Sequence, residues 1–290
     1  DAKIIAFDEA TQFTGIGVKF HLANIAGSPT TKTSSTTDAL NSLTTKEASI
    51  TDEIKQEKEI IKLFSQKLLK DPKNEKLIFD RGIAKYEYGD YKGAINDFDN
   101  AFQISNDDSI LYLRAITKFE YGDYEGAIDD YSILLSIPDL RREIYLDLGL
   151  INLYSFNYKK ALLNFNKVIE EEKSYYRNFL NRGNINFRLR NYKDSKKDYD
   201  KSVELFNKSY LSLNNRGVSN YKEGNFKQSL KDFNRSLKLN PGNYNTLFNR
   251  ALTYNKLNLN KKACIDLKKS IKLGKDVYKE EYDSICYKNL

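Results

Sequence analysis

The chain has few of the residue types on which metal and catalytic sites depend. Of its 290 residues only one is histidine, His21, and two are cysteine, while methionine and tryptophan are absent. These residues do not provide the paired His/Cys spacing of a zinc site. Its Gly-containing turns are predicted to join two helices, whereas nucleotide-binding fingerprints need a preceding strand. We therefore predict no enzyme activity, no metal and no cofactor.

Long apolar runs are absent as well. The chain is 40% hydrophobic and 30% charged, and its mean hydropathy is -0.64. No uninterrupted run approaches the roughly 18 apolar residues that a spanning helix needs, so we predict no transmembrane segment. The first residues also lack the basic start and apolar core of a signal peptide. Because the chain begins at Asp1 and has no methionine, we expect a processed mature chain.

The formal net charge of +7 conceals a division along the chain. Residues 141–290 hold 31 Lys and Arg against 16 Asp and Glu, a charge of +15, and residues 1–140 hold 16 against 24, a charge of -8. Such asymmetry can steer a charged partner and select its docking orientation. A Lys-rich composition spread over solvated helix faces explains the same numbers, and the sequence leaves both interpretations open.

One pattern recurs from residue 75 to residue 274. A small residue returns after 33 residues and then four times after 34. Its six occurrences are Gly82, Ala115, Gly149, Gly183, Gly217 and Ala251. A turn follows each one, and a second small residue, with a bulky residue four positions later, then starts another helical stripe. This period is typical of helical hairpins that bury their apolar faces by stacking on one another.

The pattern resembles the tetratricopeptide repeat (TPR) family over residues 75–274, in six consecutive copies. The Trp usual in the family's first helix is replaced by other apolar or aromatic residues: Ile78, Leu111, Tyr145, Phe179, Leu213 and Leu247. The resemblance implies an all-α fold, a right-handed superhelical solenoid of about six hairpins with capping helices. It also implies that the first helices line a concave groove for extended peptides or partner helices.

The remaining segments flank the repeats. Residues 1–50 follow no repeat and combine two strand-like runs with a Ser/Thr-rich stretch, so we interpret them as a non-repeat extended arm and linker. Residues 51–74 carry Ile60 and Phe64 in the register of a second helix, which predicts an N-terminal capping half-repeat. Residues 275–290 are predicted to form a C-terminal capping helix.

In five repeats an arginine precedes the small residue, and an aspartate follows that arginine after sixteen residues. The pairs are Arg81 and Asp97, Arg114 and Asp130, Arg182 and Asp198, Arg216 and Asp232, and Arg250 and Asp266. In the third repeat both positions change together, to Leu148 and Asn164. This joint change favours a structural ion pair within each hairpin over a phosphate-binding or nucleic-acid role for the arginines.

Candidate groove residues lie on the first helices of the later repeats. Asn181, Asn215 and Asn249 each precede the Arg, and their amides could bond both the N–H and the C=O of an extended peptide. Asn is also common in the family's ordinary pattern, so a structural role stays equally open. The basic groove candidates are Arg177, Arg188, Lys222 and Lys256. We expect them to bind an acidic segment of a protein partner through contacts that weaken with salt.

Cys264 and Cys286 are predicted to lie at similar heights on two antiparallel helices, where a disulfide can form. A disulfide would point to an oxidising compartment such as a periplasm or an organelle lumen. Two buried free thiols, compatible with the cytoplasm, fit the sequence equally well.

The sequence therefore favours a non-enzymatic scaffold or adaptor, and the TPR resemblance adds the role of an assembly factor. One alternative is a structural subunit of a larger assembly, attached through residues 1–50. Another is a binder of nucleic acid or of an anionic surface through the basic half. Nucleic acid is disfavoured because acids such as Asp194, Asp198 and Asp266 interrupt the lysines.

Overall fold

The computed structural model describes residues 58–274 and 278–287, and these ranges contain fourteen α-helices and no strand. The all-α fold class predicted from the repeat is confirmed. The arm predicted for residues 1–50 and the first residues of the predicted half-repeat lie outside the described part. Among the described helices, none combines the length and apolar character that crossing a bilayer requires.

The described residues fall into two compact units, with the boundary between Ile144 and Tyr145. In the first unit, helix α1 at residues 58–68 precedes two hairpins. The hairpin helices are α2 (Glu75–Tyr88), α3 (Tyr91–Ser105), α4 (Asp108–Tyr121) and α5 (Tyr124–Leu134). A 3-10 turn at Pro138–Leu140 leads into α6 (Arg141–Tyr154), and the boundary falls within that helix.

The second unit contains the rest of α6 and eight further helices. These are α7 (Tyr158–Glu171), α8 (Tyr176–Arg188), α9 (Tyr192–Leu205), α10 (Tyr210–Lys222), α11 (Phe226–Leu239), α12 (Tyr244–Lys256), α13 (Asn260–Gly274) and α14 (Lys279–Cys286). Each helix from α8 to α13 packs against the next one along the chain, and α14 packs against α13. Contacts between sequence neighbours are what a linear array of hairpins requires.

The turns inside the hairpins depend on one left-handed residue. Gly89 and Gly122 end α2 and α4 with φ of 89° and 90°, a conformation that glycine adopts without steric cost. The next residues, Asp90 and Asp123, cap α3 and α5 through side-chain oxygens that accept from backbone N–H groups. These short, well-capped turns hold the two helices of a hairpin antiparallel.

The small residues of the repeat allow close approach within each hairpin. An aromatic ring of the second helix lies directly on the glycine of the first, so a Cβ added at Gly183 would stand 2.6 Å from Cε1 of Tyr199. A Cβ at Gly217 would stand 2.7 Å from Cε1 of Phe233. Both rings are fully buried. In the repeats that carry glycine at this position, the ring packed on the glycine therefore fixes how the first helix is rotated against the second.

Candidate peptide-binding groove

The arginines of the first helices bond the aspartates of the second helices in all five repeats that carry them. In each pair the Nη2 and Nε atoms donate to the carboxylate, and the Nη2–Oδ1 distance lies between 2.5 and 2.8 Å. The five aspartates are buried. A two-pronged hydrogen bond from a guanidinium is the geometry that satisfies a buried carboxylate best. The arginines are therefore engaged inside the hairpins.

Each of these arginines also reaches back to the previous second helix, a contact that sequence reasoning missed. The Nη1 atom of Arg114 donates to Asp99, and that of Arg216 donates to Asp200. The corresponding acceptors of Arg81, Arg182 and Arg250 are Ser65, Asn166 and Asn234. One guanidinium thus joins three helices from two successive repeats. The acceptor changes between Ser, Asp and Asn, so no constant residue type marked it in the sequence.

Burial and the neighbouring carboxylates shift the pKa of these arginines in opposite directions. Burial alone would lower the pKa of Arg216, but the hydrogen bonds and charges of Asp232 and Asp200 outweigh it and raise the pKa. The pKa of Arg114 is raised in the same way by Asp130 and Asp99. The aspartates therefore stabilise the charged form of both guanidinium groups.

The buried aspartate has a further donor in four repeats. It comes from the residue three positions after the small residue: Lys85, Lys118, Asn186 or Asn220. In the third repeat the equivalent residue is Asn152, which faces no aspartate because Asn164 stands there. Asn152 donates to the backbone of Leu148, and its buried Oδ1 accepts no hydrogen bond from the described residues. The third repeat therefore lacks the whole polar network of its neighbours.

The asparagines proposed for the groove lie in a chain of amides between first helices. The sequence leaves a peptide-binding and a structural role open for Asn181, Asn215 and Asn249, whereas the structure buries all three, the last two fully. Asn215 donates to Asn184 on α8 at 2.8 Å and accepts from Asn214, and Asn214 accepts from Asn249 on α12. First helices 34 residues apart pack closely enough for their amides to meet. These bonds connect three successive repeats in a way that sequence reasoning missed.

Three of the predicted basic residues occupy one repeated position in the second unit. Arg188, Lys222 and Lys256 are exposed in the last turns of α8, α10 and α12. Cations are favoured there because the C-terminal end of a helix carries partial negative charge. Arg177 lies at the other end of α8, half-buried, and its Nε donates to the hydroxyl of Tyr176 at 3.0 Å. The arrangement gives one edge of the second unit a row of positive charges.

Two sequence models of the tetratricopeptide repeat match the chain, one over residues 176–209 and the other over residues 210–243. This chain is a tetratricopeptide repeat protein. The matched residues are the hairpins α8–α9 and α10–α11, which carry the complete arginine network. A search of curated proteins found no match.

Solved TPR structures share the fold of this TPR protein. The C-terminal part of a TPR repeat-containing protein from Cytophaga hutchinsonii has a TM-score of 0.67 at 18% identity, over 79% of this chain and 95% of that one. A TPR protein from Parabacteroides merdae has a TM-score of 0.56 at 20% identity, over 80% and 96%. MamA from Desulfovibrio magneticus reaches 0.54 at 18% identity, over 58% and 96%. At these identities the likeness shows the fold alone.

The last hairpin of this TPR protein is closed by a disulfide between Cys264 on α13 and Cys286 on α14, with a Cα–Cα distance of 5.7 Å. Tyr278, just before α14, stacks on Phe248 with ring centroids 4.0 Å apart. Ile285 of α14 is buried against the same core. The short α14 therefore packs against the apolar core of the last hairpin.

Proposed function

We propose that this protein is a non-enzymatic scaffold whose second unit binds an acidic, extended segment of a partner protein along its first helices. The observation that carries the proposal is the exposed row of Arg188, Lys222 and Lys256 at one repeated position. TPR arrays offer extended binding surfaces built from equivalent positions of successive repeats. A partner with acids at matching intervals could therefore contact several repeats at once.

The arginines that bond the buried aspartates are not part of this proposed binding site. The guanidinium groups of Arg182, Arg216 and Arg250 already bond two helices each, so a ligand anion would have to displace a buried carboxylate. The cations at the ends of α8, α10 and α12 are exposed, whereas Arg182, Arg216 and Arg250 are partly buried. Peptide binding and hairpin stability are therefore expected to depend on different basic residues.

Of the three predicted groove asparagines, Asn181 is the one that we propose to contact the peptide. Asn215 and Asn249 hold neighbouring first helices together through Asn184 and Asn214, so their replacement is expected to loosen the array. Asn181 precedes them by one repeat, at the same position of the pattern, and it is also buried, but 7% of it stays exposed against none of Asn215 and Asn249. If Asn181 bonds a peptide backbone, Asn181→Ala will weaken peptide binding while lowering thermal stability less than Asn215→Ala does.

The helices α1 and α14 are proposed to be the caps of the array. Support comes from α14, which covers the last hairpin, and from Ser65 of α1, which accepts from Arg81 as a preceding repeat would. Linear arrays need such ends because the outermost hairpins otherwise expose apolar surface.

The test is fluorescence anisotropy with a labelled Asp/Glu-rich peptide that carries aromatic anchors. The variant Arg188→Gln, Lys222→Gln, Lys256→Gln should bind at least roughly tenfold more weakly than the native chain, and raising the salt should abolish most of the difference. The matched control removes three cations from α9 instead, as Lys193→Gln, Lys197→Gln, Lys201→Gln. Equal affinity of the two variants would refute the proposed groove.

A further inference from the structure

The second helices of the last two repeats carry a continuous basic face that the groove does not use. On α11 the cations occupy every third or fourth position, and the set is Lys227, Lys231, Arg235 and Lys238. Residues at this spacing share one side of a helix. All four are exposed, while Phe233 and Ser236 on the opposite side are fully buried. The face therefore points away from the core.

Helix α13 repeats this face one period later. Its exposed cations are Lys261, Lys262, Lys268, Lys269 and Lys272. Lys261, Lys269 and Lys272 stand 34 residues after Lys227, Arg235 and Lys238, so they hold the equivalent positions of the next repeat. Both helices pack against α12. Equivalent positions of neighbouring repeats lie on the same side of the array, so the two faces form one basic surface.

The acids on these two helices do not neutralise that surface. Each helix contains a single acid, Asp232 on α11 and Asp266 on α13. Both carboxylates are buried and bonded by Arg216 and Arg250. In the sequence Asp266 interrupts the lysines, but in the structure it lies on the other side of the helix. Asp266 therefore does not weaken the attraction of this face for an anionic partner.

The equivalent helix one repeat earlier shows the contrast. On α9, Lys197 pairs with Asp194, Lys201 pairs with Glu204, and Lys196 pairs with Asp200. Its cations are therefore largely compensated by acids of the same helix. Among the described residues, the cations of α11 and α13 form no ion pair of this kind, so their charge is compensated less than that of α9.

We propose that the α11–α13 face binds the surface of an anionic lipid bilayer. Clusters of four to eight Lys and Arg are attracted to anionic headgroups, and each residue near the surface adds to the attraction. Exposed apolar side chains strengthen such binding by entering the headgroup region. Ile265 stands in the middle of the cations of α13 and is 67% exposed, and Leu239 and Leu273 are exposed at the ends of the two helices.

The same surface lacks the features that favour nucleic acid. Single-stranded nucleic acids are bound by aromatic side chains on which bases stack. Helix α13 contains no aromatic residue, and those of α11, Phe226 and Phe233, are partly and fully buried. Eight of the nine cations are lysines, which lack the planar fork with which arginine binds phosphate in a bidentate manner. Lysines around exposed aliphatic residues fit a bilayer better.

The experiment is co-sedimentation of the full chain with vesicles of phosphatidylcholine alone and of equimolar phosphatidylcholine and phosphatidylglycerol. The test variant is Lys227→Gln, Lys231→Gln, Lys261→Gln, Lys269→Gln. The matched control removes the same number of charges from the neighbouring repeat, as Lys193→Gln, Lys197→Gln, Lys201→Gln, Lys208→Gln. All eight substitutions are on side chains that are not buried, and circular dichroism melts will show that both variants fold.

The native chain should bind the anionic vesicles and not the neutral ones, and binding should fall with salt. The test variant should bind at least roughly tenfold more weakly, while the control stays within about threefold of the native chain. Ile265→Ser should weaken vesicle binding several-fold without changing its salt dependence. Equal losses in the two charge variants, or tighter binding to a DNA duplex than to anionic vesicles, would overturn the proposal.

Discussion

Arg216 bonds Asp200 across the junction between two repeats, with Nη1 of the guanidinium 3.1 Å from Oδ1 of the carboxylate. The same guanidinium bonds Asp232 inside its own hairpin at 2.5 Å. Asp232 is buried, whereas the side chain of Asp200 is 46% exposed. One arginine therefore makes an interior bond that closes a hairpin and a surface bond that joins it to its neighbour.

The two bonds of Arg216 should differ in their contribution to stability. Arg216→Ala leaves a buried carboxylate without its main partner and should lower the free energy of unfolding by about 3 kcal/mol or more. Asp200→Ala removes a half-exposed pair and should cost about 0.5–1 kcal/mol. Urea denaturation measures both, with Lys222→Ala as an exposed control. Anisotropy with the acidic peptide should be unchanged by Arg216→Ala; a loss of peptide affinity at unchanged stability would reject the structural role.

The third repeat should form the Arg–Asp pair of its neighbours once both residues are introduced. Leu148→Arg alone introduces a buried charge without a partner, and it should destabilise the protein by several kcal/mol. Adding Asn164→Asp supplies the carboxylate, which Asn152 can also bond, as Asn186 bonds Asp198. We expect a favourable coupling of about 2 kcal/mol in a double-mutant cycle measured by denaturation. Additive effects of the two substitutions would mean that this hairpin cannot form the pair.

Reduction of the disulfide should loosen the end of the second unit selectively. Cys264 and Cys286 are separated by 22 residues, and a loop of this size is worth about 3 kcal/mol in the chain-entropy account. Cys264→Ser with Cys286→Ser should lower the melting temperature, and amide exchange should rise in α14 and much less in α9. A thiol reductant should lower the melting temperature of the native chain and leave the double-serine variant unchanged. A free-thiol assay on protein from its source will show whether the compartment is oxidising.

Alkaline pH should act on the same end of the protein through Tyr278. Burial, followed by the charges of Tyr244 and Glu281, raises the pKa of Tyr278 from 10.0 to about 12. The raised pKa means that folding favours the neutral phenol, so its contribution is complete below pH 10 and is lost as the pH rises through about 12. The loss should reach roughly 1–2 kcal/mol relative to Tyr278→Phe. That variant also lacks the hydrogen bond to Asn245, so the comparison concerns the slope against pH and not the absolute stability. Parallel slopes for the two proteins would contradict the assignment.

The contacts of the first helices differ in how much of them can be predicted from the sequence. The sixteen-residue step from Arg182 to Asp198 is visible because it recurs in five repeats with both residue types unchanged. The backward bond from Arg182 to Asn166 is not visible, since its acceptor varies from repeat to repeat. The position of Asn215 on a first helix was readable from its phase. Its burial was not, because that depends on how closely neighbouring first helices pack.

The amino-acid sequence by itself determined the helical hairpin, its period and the identity of the residues that face each other inside it. Those properties are local, because a glycine and the ring that packs on it, such as Gly183 and Tyr199, lie sixteen residues apart in one hairpin. Only the tertiary structure decided which polar side chains of the first helices are buried between repeats. Asn215 and Lys222 belong to the same helix α10, yet one is fully buried and bonds Asn184 of the previous repeat and the other is exposed. The side of the helix that packs against the next element separates them, and that side is chosen by packing between hairpins.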